Sequence, residues 1–169
     1  MLFRSRFLRA ERMAPVRTKG VGVCDLGRVG EIKRVDTEIV KELVRSGFIP
    51  VIAPVAVDEA GDPLNVNADT VASHVAAAIG AEKLVLMTDV DGVRDGEGRL
   101  VSALDKATIE RWLENGVISG GMIPKVRCAL DAIATGVNKV HIVDGRIEHA
   151  ILLEIFTDSG IGTEIVRGA

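Results

Sequence analysis

The chain has 169 residues, which is enough to bury one hydrophobic core. Hydrophobic residues make up 47% and charged residues 27%, and no apolar run reaches the roughly 18 residues of a transmembrane helix, so the composition argues against a membrane span. The net charge of −3 conceals a basic start and an acidic remainder, which argues against general nucleic-acid binding.

Residues 1–20 hold six basic residues and one acid. They lack the apolar stretch of a secretory signal, so we predict a cytoplasmic protein and leave organelle targeting open. We expect these residues to form a basic arm or ragged start, followed by one domain over residues 21–169.

The first predicted elements are a hairpin and a helix. Two runs rich in Val and Ile, Val21–Leu26 and Val29–Val35, flank the short turn at Gly27. A helix is then predicted over Thr37–Ser46, with Gly47 in the position that commonly ends a helix.

Buried strands and amphipathic helices follow in alternation. The apolar run Phe48–Val57, bounded by prolines, predicts a strand buried on both faces. Helical periodicity covers Ala68–Ile79, and Lys83–Met87 is the next strand. The remaining predicted elements are helices over Leu104–Asn115, Pro124–Thr135 and His149–Phe156 and strands over Val140–Val143 and Thr163–Val166. This order predicts an α/β fold, a three-layer αβα sandwich with a mostly parallel sheet.

Ligands of such sheets bind beyond the carboxyl ends of the strands, so polar residues after each strand are the candidate site. The first such segment contains Asn65, Asn67 and Asp69, two amides and a carboxylate at the start of a helix. An acid in the first turn of a helix is favourable by itself, so capping alone is the alternative interpretation of Asp69.

The second segment follows the strand Lys83–Met87 and contains Gly92, which permits a close backbone approach and suits a nucleotide's base or ribose. An ordinary β-turn is the alternative. The third segment, Ser119 to Lys125, has paired glycines before a helix, a natural anion site. Lys125 lies in the first turn of that helix, where a positive charge is unfavourable because of the helix dipole. A bound anion would make the charge favourable. A solvated lysine is the alternative.

The three segments together provide groups for positioning and for charge stabilisation, which are the main requirements of phosphoryl transfer. The sequence contains neither a Walker-type Gly-x-x-x-x-Gly-Lys-Ser/Thr motif nor a protein-kinase signature. We find no metal-ligand motif.

Three motifs in this order resemble the carboxyl-terminal half of the N-acetylglutamate kinases, within the amino acid kinase family. They are Asn65-Val66-Asn67-Ala68-Asp69, Leu86 to Val93, and Gly121-Met122-Ile123-Pro124-Lys125-Val126. The resemblance extends from about Met13 to Arg167. It implies phosphorylation of the γ-carboxylate of N-acetyl-L-glutamate by ATP with Mg2+, in arginine biosynthesis.

The resemblance also implies roles for individual residues. Lys125 would stabilise the transferring phosphoryl group, Asp69 would orient catalytic lysines, and Asn65 would hold the acylated amino acid. The residues implied to contact the nucleotide are Thr88, Asp89, Val90, Asp91, Gly92, Val93, Arg94, Val117, Ile118, Ser119 and Met122.

The segment from His149 to Thr163 is similar to the segment that binds arginine in arginine-inhibited members. It implies His149, Glu154 and Gly160 as candidate effector residues, with Glu154 accepting the guanidinium. A solvated helix end is the alternative. The full-length form is expected to be a homo-oligomer, with no nucleic-acid or membrane partner.

The family's amino-terminal half, with a glycine-rich loop and a first catalytic lysine, has no counterpart here, and we expect little turnover from the isolated chain. Two other functions stay open. One is a kinase for a related acylated amino acid, such as a carrier-linked aminoadipate. The other is a non-catalytic arginine-sensing module.

Overall fold

The computed structural model describes residues 6–18, 22–157 and 160–167. The chain divides into two compact units, Met1–Ile79 and Gly80–Ala169. This division falls within the stretch that was expected to form one domain. Parts of three predicted segments lie outside the described ranges. They are residues 1–5 and 19–20 of the expected basic arm, Val21 of the first predicted strand, and Asp158 and Ser159 of the segment from His149 to Thr163.

Unit 1 contains a mixed four-stranded sheet in the order β4-β1-β5-β6. Strand β1 pairs antiparallel with β4 and parallel with β5, and β5 forms an antiparallel hairpin with β6. Two further strands, β2 and β3, pair with each other. The elements are β1 (Leu8–Arg12), β2 (Val16–Thr18), β3 (Gly22–Cys24), β4 (Gly30–Val35), α1 (Glu38–Arg45), β5 (Val55–Val57), β6 (Pro63–Asn65) and α2 (Ala68–Ile79).

The hairpin predicted around Gly27 is wrong, because the strands on its two sides have other partners. Strand β3 pairs with β2, and β4 pairs with β1. Both partners lie within the expected basic arm. In β1 the buried Leu8 and Ala10 alternate with Arg9 and Glu11, which is the pattern of a strand with one buried face. Because residues 1–20 were interpreted from their charge, this alternation was not recognised in the sequence.

The buried strand predicted over Phe48–Val57 is also wrong, since only Val55–Val57 is a strand. Ile49 and Val51 are 90% and 96% exposed. Prolines at positions 50 and 54 cannot donate to a strand ladder. Apolar composition alone therefore did not specify a strand here.

The helices of unit 1 follow the sequence closely. Helix α2 has the predicted bounds, and Asn67 caps it by accepting a hydrogen bond from Thr70 N at 3.1 Å. Helix α1 ends at Arg45, and Gly47 follows its C-cap with a φ of +81° that suits glycine and an N–H that donates to Val44 O at 3.0 Å. The bounds of α1 differ by one residue at each end from the prediction.

Unit 2 is built on a second four-stranded sheet, in the order β7-β9-β10-β8. Strand β9 lies at its centre, parallel to β7 and antiparallel to β10, and β8 is parallel to β10. The elements are β7 (Lys83–Thr88), β8 (Ala103–Asp105), α3 (Lys106–Glu114), α4 (Met122–Ala134), β9 (Lys139–Asp144), α5 (Ala150–Phe156) and β10 (Thr163–Val166). The α/β class is confirmed, and each of the two four-stranded sheets combines parallel and antiparallel pairs.

All three helices of unit 2 begin at positions other than those predicted, and α5 does so by one residue, at Ala150 instead of His149. Helix α3 begins at Lys106 because Asp105 caps it, accepting from Thr108 N at 2.7 Å. Helix α4 begins at Met122 and includes Pro124 as its third residue. Proline is tolerated there because the first N–H groups of a helix have no partner within the helix. Lys125 is consequently the fourth residue of α4.

Candidate functional site

A cleft of about 480 Å3 opens in unit 2 beyond the carboxyl ends of β7 and β9. This is the edge at which parallel sheets bind ligands. Three segments form its walls: the loop after β7, the loop leading into α4, and the turn after β9. The lining residues are Asp89, Val90, Asp91, Gly92, Val93, Arg94, Val117, Ile118, Ser119, Met122, Asp144 and Arg146.

Ten of the eleven residues implied to contact the nucleotide therefore line one cleft; the eleventh, Thr88, is the last residue of β7. Its hydroxyl donates to Asp89 Oδ1 at 3.2 Å. The two sequence segments lie more than twenty residues apart, and the structure brings them together. What the cleft binds is a separate question.

A buried threonine holds the glycine turn in place. Thr163 Oγ1 accepts from Val93 N at 2.8 Å and donates to Val101 O at 2.7 Å. Both Val93 and Thr163 are almost fully buried. A Cβ on Gly92 would lie 2.6 Å from Thr163 Oγ1, and the φ of Gly92 is +144°. The turn therefore needs glycine for its packing on β10, whether or not a ligand is bound.

The loop leading into α4 presents both polar and apolar groups to the cleft. Ile118 is buried and its N–H donates to Trp112 O at 3.1 Å, while Ser119 is exposed. The N-cap residue of α4 is Gly121, which has no side chain that could accept from the first N–H groups of the helix. This helix end carries a partial positive charge, which favours an anion. Lys125 lies half-buried one turn into the helix and does not line the cleft.

The net negative charge of the lining residues disfavours a phosphate group and favours an uncharged part of a ligand. Three carboxylates face two guanidinium groups, and Arg94 is paired with Asp91 at 2.5 Å. Arg94 also donates to Gly98 O. The cleft is thus slightly acidic, and the positive potential lies at the start of α4.

The turn after β9 was missed in the sequence. Asp144 accepts three hydrogen bonds from Arg146: from Nε at 2.9 Å, from Nη2 at 2.8 Å and from the backbone N–H at 2.9 Å. These bonds lower the pKa of Asp144 to about 2. The rule that directed attention to residues after each strand also applies to Asp144, the last residue of β9, and would have found this pair.

Asn65 and Asp69 belong to unit 1 and are described there alone. Asn65 is the exposed last residue of β6, and its N–H donates to Arg28 O at 2.8 Å. Asp69 is half-buried in the first turn of α2. The turn between them contains Asn67, the cap of that helix. The amide and the carboxylate are thus placed by one strand end and one helix start.

A second cavity in unit 2, of about 430 Å3, involves two of the three candidate effector residues. Glu154 and Gly160 line it, and His149 does not. His149 instead occupies the exposed N-cap position of α5 with φ of +57°, and its side chain makes no capping hydrogen bond. The histidine that lines this cavity is the buried His141 of β9.

Hydrogen bonds occupy both carboxylate oxygens of Glu154. Its Oε1 lies 2.6 Å from His141 Nδ1, and its Oε2 accepts from the N–H groups of Ile161 and Gly162 at 2.6 and 3.0 Å. Burial disfavours the ionised form, but these bonds outweigh burial and the pKa of Glu154 is lowered. His141 Nε2 is buried without a hydrogen-bond partner among the described residues and lies 3.7 Å from Glu164 Oε1.

The described residues contain neither a metal-binding cluster nor a helix that could span a membrane. Within residues 6–18, 22–157 and 160–167, no group of three or more His, Cys, Asp or Glu side chains could hold a metal ion. Over the same ranges, none of the helices has the length and apolar character needed to cross a membrane.

The fold and the cleft define an α/β protein with a cleft beyond the carboxyl ends of β7 and β9. The sequence model of the amino acid kinase family matches residues 2–144. The chain belongs to the amino acid kinase family.

Among curated proteins, the chain is similar to acetylglutamate kinases. It is 59% identical over 145 residues to that of Syntrophobacter fumaroxidans, covering 86% of this chain and 49% of the relative. It is 52% identical over 165 residues to that of Oleidesulfovibrio alaskensis, covering 96% and 56%. The chain thus spans about half the length of the curated relatives it matches.

Among solved structures, the chain is similar to the N-acetylglutamate synthase of Neisseria gonorrhoeae complexed with coenzyme A and L-arginine. The TM-score is 0.86 at 28% identity, over 97% of this chain and 37% of the synthase. This similarity confirms the amino acid kinase-like fold predicted from the sequence.

Proposed function

We propose that the chain carries the nucleotide-binding part of an acetylglutamate kinase, which transfers the γ-phosphoryl group of ATP to the γ-carboxylate of N-acetyl-L-glutamate. The observation that supports this most strongly is the single cleft formed by residues 89–94 with residues 117–119 and Met122. The names of the relatives, at 52 to 59% identity, indicate the same activity.

The cleft suits the nucleoside end of ATP. Its volume lies in the range of about 300 to 1,000 Å3 that is usual for small-molecule sites. Aliphatic side chains and exposed polar groups line it together, as base and ribose require. The triphosphate would extend towards the start of α4, where the helix dipole and the nearby Lys125 favour negative charge.

The chemistry asks little of the protein beyond positioning and charge. A carboxylate oxygen of the substrate attacks the γ-phosphorus, a new P–O bond forms, and the bond to the β-phosphate oxygen breaks with release of ADP. A glutamate side chain is already ionised at neutral pH, so no general base is needed. Lys125 would stabilise charge on the transferring group.

The remaining assignments follow the same motif positions. Asn65 would hold the acylated amino acid, and Asp69 would orient lysines. Mg2+ would enter with the triphosphate, because Mg2+ is commonly held by one or two carboxylates together with substrate phosphates. The homo-oligomeric state expected of the full-length form and the cytoplasmic location stay predictions, and light scattering of the full-length form tests the first.

Calorimetric titration with MgATP tests the nucleotide site. We expect saturable binding by the intact chain and its loss in Ser119→Tyr, which fills the cleft from an exposed position. Asn138→Tyr is the matched control, exposed in the same unit and outside both of its described cavities. Equal binding by the two variants, or none by the unmodified chain, would contradict the proposal.

An assay of acetylglutamate phosphorylation tests the catalytic role. We expect little turnover from this chain, and any turnover should fall about 10²- to 10³-fold in Lys125→Ala, as for the loss of one charge-stabilising donor. Activity unaffected by this substitution would exclude the role of Lys125. A panel including carrier-linked aminoadipate would identify the acceptor.

A second proposal concerns the cavity lined by Glu154, Gly160 and His141: we propose that it binds arginine. The buried Nε2 of His141, without a partner among the described residues, favours a ligand that can complete its hydrogen bonding. A guanidinium group could donate to Nε2 and to Glu164. We expect L-arginine to bind, and binding to be lost in His141→Phe but kept in His149→Phe. The opposite order would restore the original assignment to His149.

A further inference from the structure

The turn after β9 suggests a specific role for Arg146 within the proposed nucleotide site. Asp144 lies opposite Thr88 in the register of β9 with β7, and Gly145 N donates to Thr88 O at 2.8 Å. A Cβ on Gly145 would lie 3.3 Å from Met87 Cβ. The turn is thus held closely against the end of β7, where the loop that lines the cleft begins.

Asp144 fixes the plane of the Arg146 guanidinium. Two side-chain hydrogen bonds, at 2.9 and 2.8 Å, join each carboxylate oxygen to a different guanidinium nitrogen. Such a two-point pair fixes the orientation of the group as well as its position. The Asp144 side chain is 9% exposed and that of Arg146 is 69% exposed. A buried carboxylate therefore orients a planar cation that stays open to the cleft.

The cleft contains one other guanidinium, on Arg94, and no aromatic side chain. Its lining contains valines, an isoleucine and a methionine but no Phe or Trp, and the sequence has no Tyr. The Arg94 side chain is 55% exposed, and its two Nη atoms bond to different partners, Asp91 and Gly98 O. Arg146 is more exposed and is held by a single carboxylate, so its plane is the surface of this cleft best suited to stacking on a nucleobase, since guanidinium planes stack on aromatic rings.

The charges also favour the base over the phosphates as the partner of Arg146. Asp89, Asp91 and Asp144 line the same cleft and would repel a triphosphate. We propose that Arg146, held flat by Asp144, stacks on the base of the bound nucleotide. This role rests on the proposed nucleotide site and adds a positioning residue, Asp144, behind the contact residue.

The test separates the plane of the side chain from its charge. Dissociation constants for ATP and for inorganic tripolyphosphate are measured by calorimetry on the whole chain. Arg146→Lys keeps the charge and loses the plane, and Arg146→Tyr does the reverse. We expect ATP to bind about 2- to 30-fold more weakly to Arg146→Lys, the range given by cation–π interactions. Arg146→Tyr should bind ATP more tightly than Arg146→Lys does.

The controls distinguish stacking from other roles. Binding of tripolyphosphate should be unchanged in Arg146→Lys, because the base is absent from that ligand and the positive charge is kept. Arg99→Lys is the matched control, since Arg99 is also paired with an aspartate, is 70% exposed and lies outside the cleft. Asp144→Asn should weaken ATP binding in the same direction as Arg146→Lys, and thermal unfolding checks that each variant is folded.

Two results would overturn the inference. If Arg146→Lys binds ATP as tightly as the unmodified chain, then Arg146 acts through its charge, and if its tripolyphosphate binding falls in parallel with ATP binding, then Arg146 contacts the phosphates. The proposed function survives either result, because the unmodified chain still binds ATP. Failure of the unmodified chain to bind ATP would overturn the nucleotide site and the stacking role together.

Discussion

Two apolar segments of this chain look alike in sequence and differ completely in structure. The run Phe48–Val57 leaves Ile49 and Val51 almost fully exposed, whereas Val140, Ile142 and Val143 of β9 are fully buried. Strand β9 has hydrogen-bonded neighbours on both sides, β7 and β10. Apolar composition shows only that burial of a segment is favourable. Hydrogen bonding to neighbouring strands determines whether the segment is buried.

The largest expected effect contrasts one residue from each segment. Ile142→Ala should lower the free energy of unfolding by about 2–5 kcal/mol, because it leaves a cavity in the core of unit 2. Val51→Ala should change it by about 0.5 kcal/mol or less, because that side chain is 96% exposed. Urea denaturation of the two variants measures both values. Equal losses would show that Val51 is buried in solution.

Gly162, which packs against β9, sharpens the same contrast. A Cβ on Gly162 would lie 2.2 Å from Ile142 O, so Gly162→Ala should destabilise by about 1–3 kcal/mol or more through overpacking. The nearest atom to a Cβ on Gly96 is 4.0 Å away, on Val117, so Gly96→Ala serves as the control and should be close to neutral. Thermal unfolding compares them. A neutral Gly162→Ala would contradict the close packing of β9.

The hydroxyl of Thr163 should contribute less than this packing does. Thr163→Val preserves shape but leaves Val93 N and Val101 O without their partner, at a cost of about 1–3 kcal/mol. The loop that lines the cleft should also exchange its amide hydrogens faster. Thr135→Val removes a comparable hydroxyl from an exposed helix end and should cost less. The reverse order would rule out Thr163 as the anchor of the turn.

The smallest effect is a dependence of stability on pH. Hydrogen bonds from Arg146 lower the pKa of Asp144 from 3.8 to about 2, so the ionised carboxylate stabilises the fold above about pH 4. That contribution is lost as the pH falls towards 2. The difference in stability between the unmodified chain and Asp144→Asn should therefore be constant above pH 4 and shrink below it. Urea midpoints between pH 6 and pH 2 measure this difference, and a difference that stays constant to pH 2 would contradict the pairing.

Local signals in the sequence predicted much of the fold. Helix α2 and strand β10 have the predicted bounds, because periodicity, an Asn cap and a following glycine act within one segment. The pairing of β1 with β4 could not be found in this way, since the two strands are separated by β2 and β3. The exposure of Val51 likewise depends on the absence of a neighbouring strand in the described structure, which local sequence does not record.

The candidate site shows the same division. Motif positions predicted ten of the twelve residues that line the cleft, and the two missed residues are Asp144 and Arg146. The resemblance implied His149 because it lies in the matched segment from His149 to Thr163, whereas pairing of β9 with β10 places His141 at the cavity. The assignment of ligands to these sites stays a prediction.

Hydrogen exchange of the whole chain, with and without MgATP, tests the central claim most directly. We expect MgATP binding to slow the exchange of amide hydrogens over residues 88–94, 117–122 and 144–146 and to leave residues 48–54 unaffected. Protection that is absent from the first three segments, or that appears at 48–54 in their place, would contradict the nucleotide cleft.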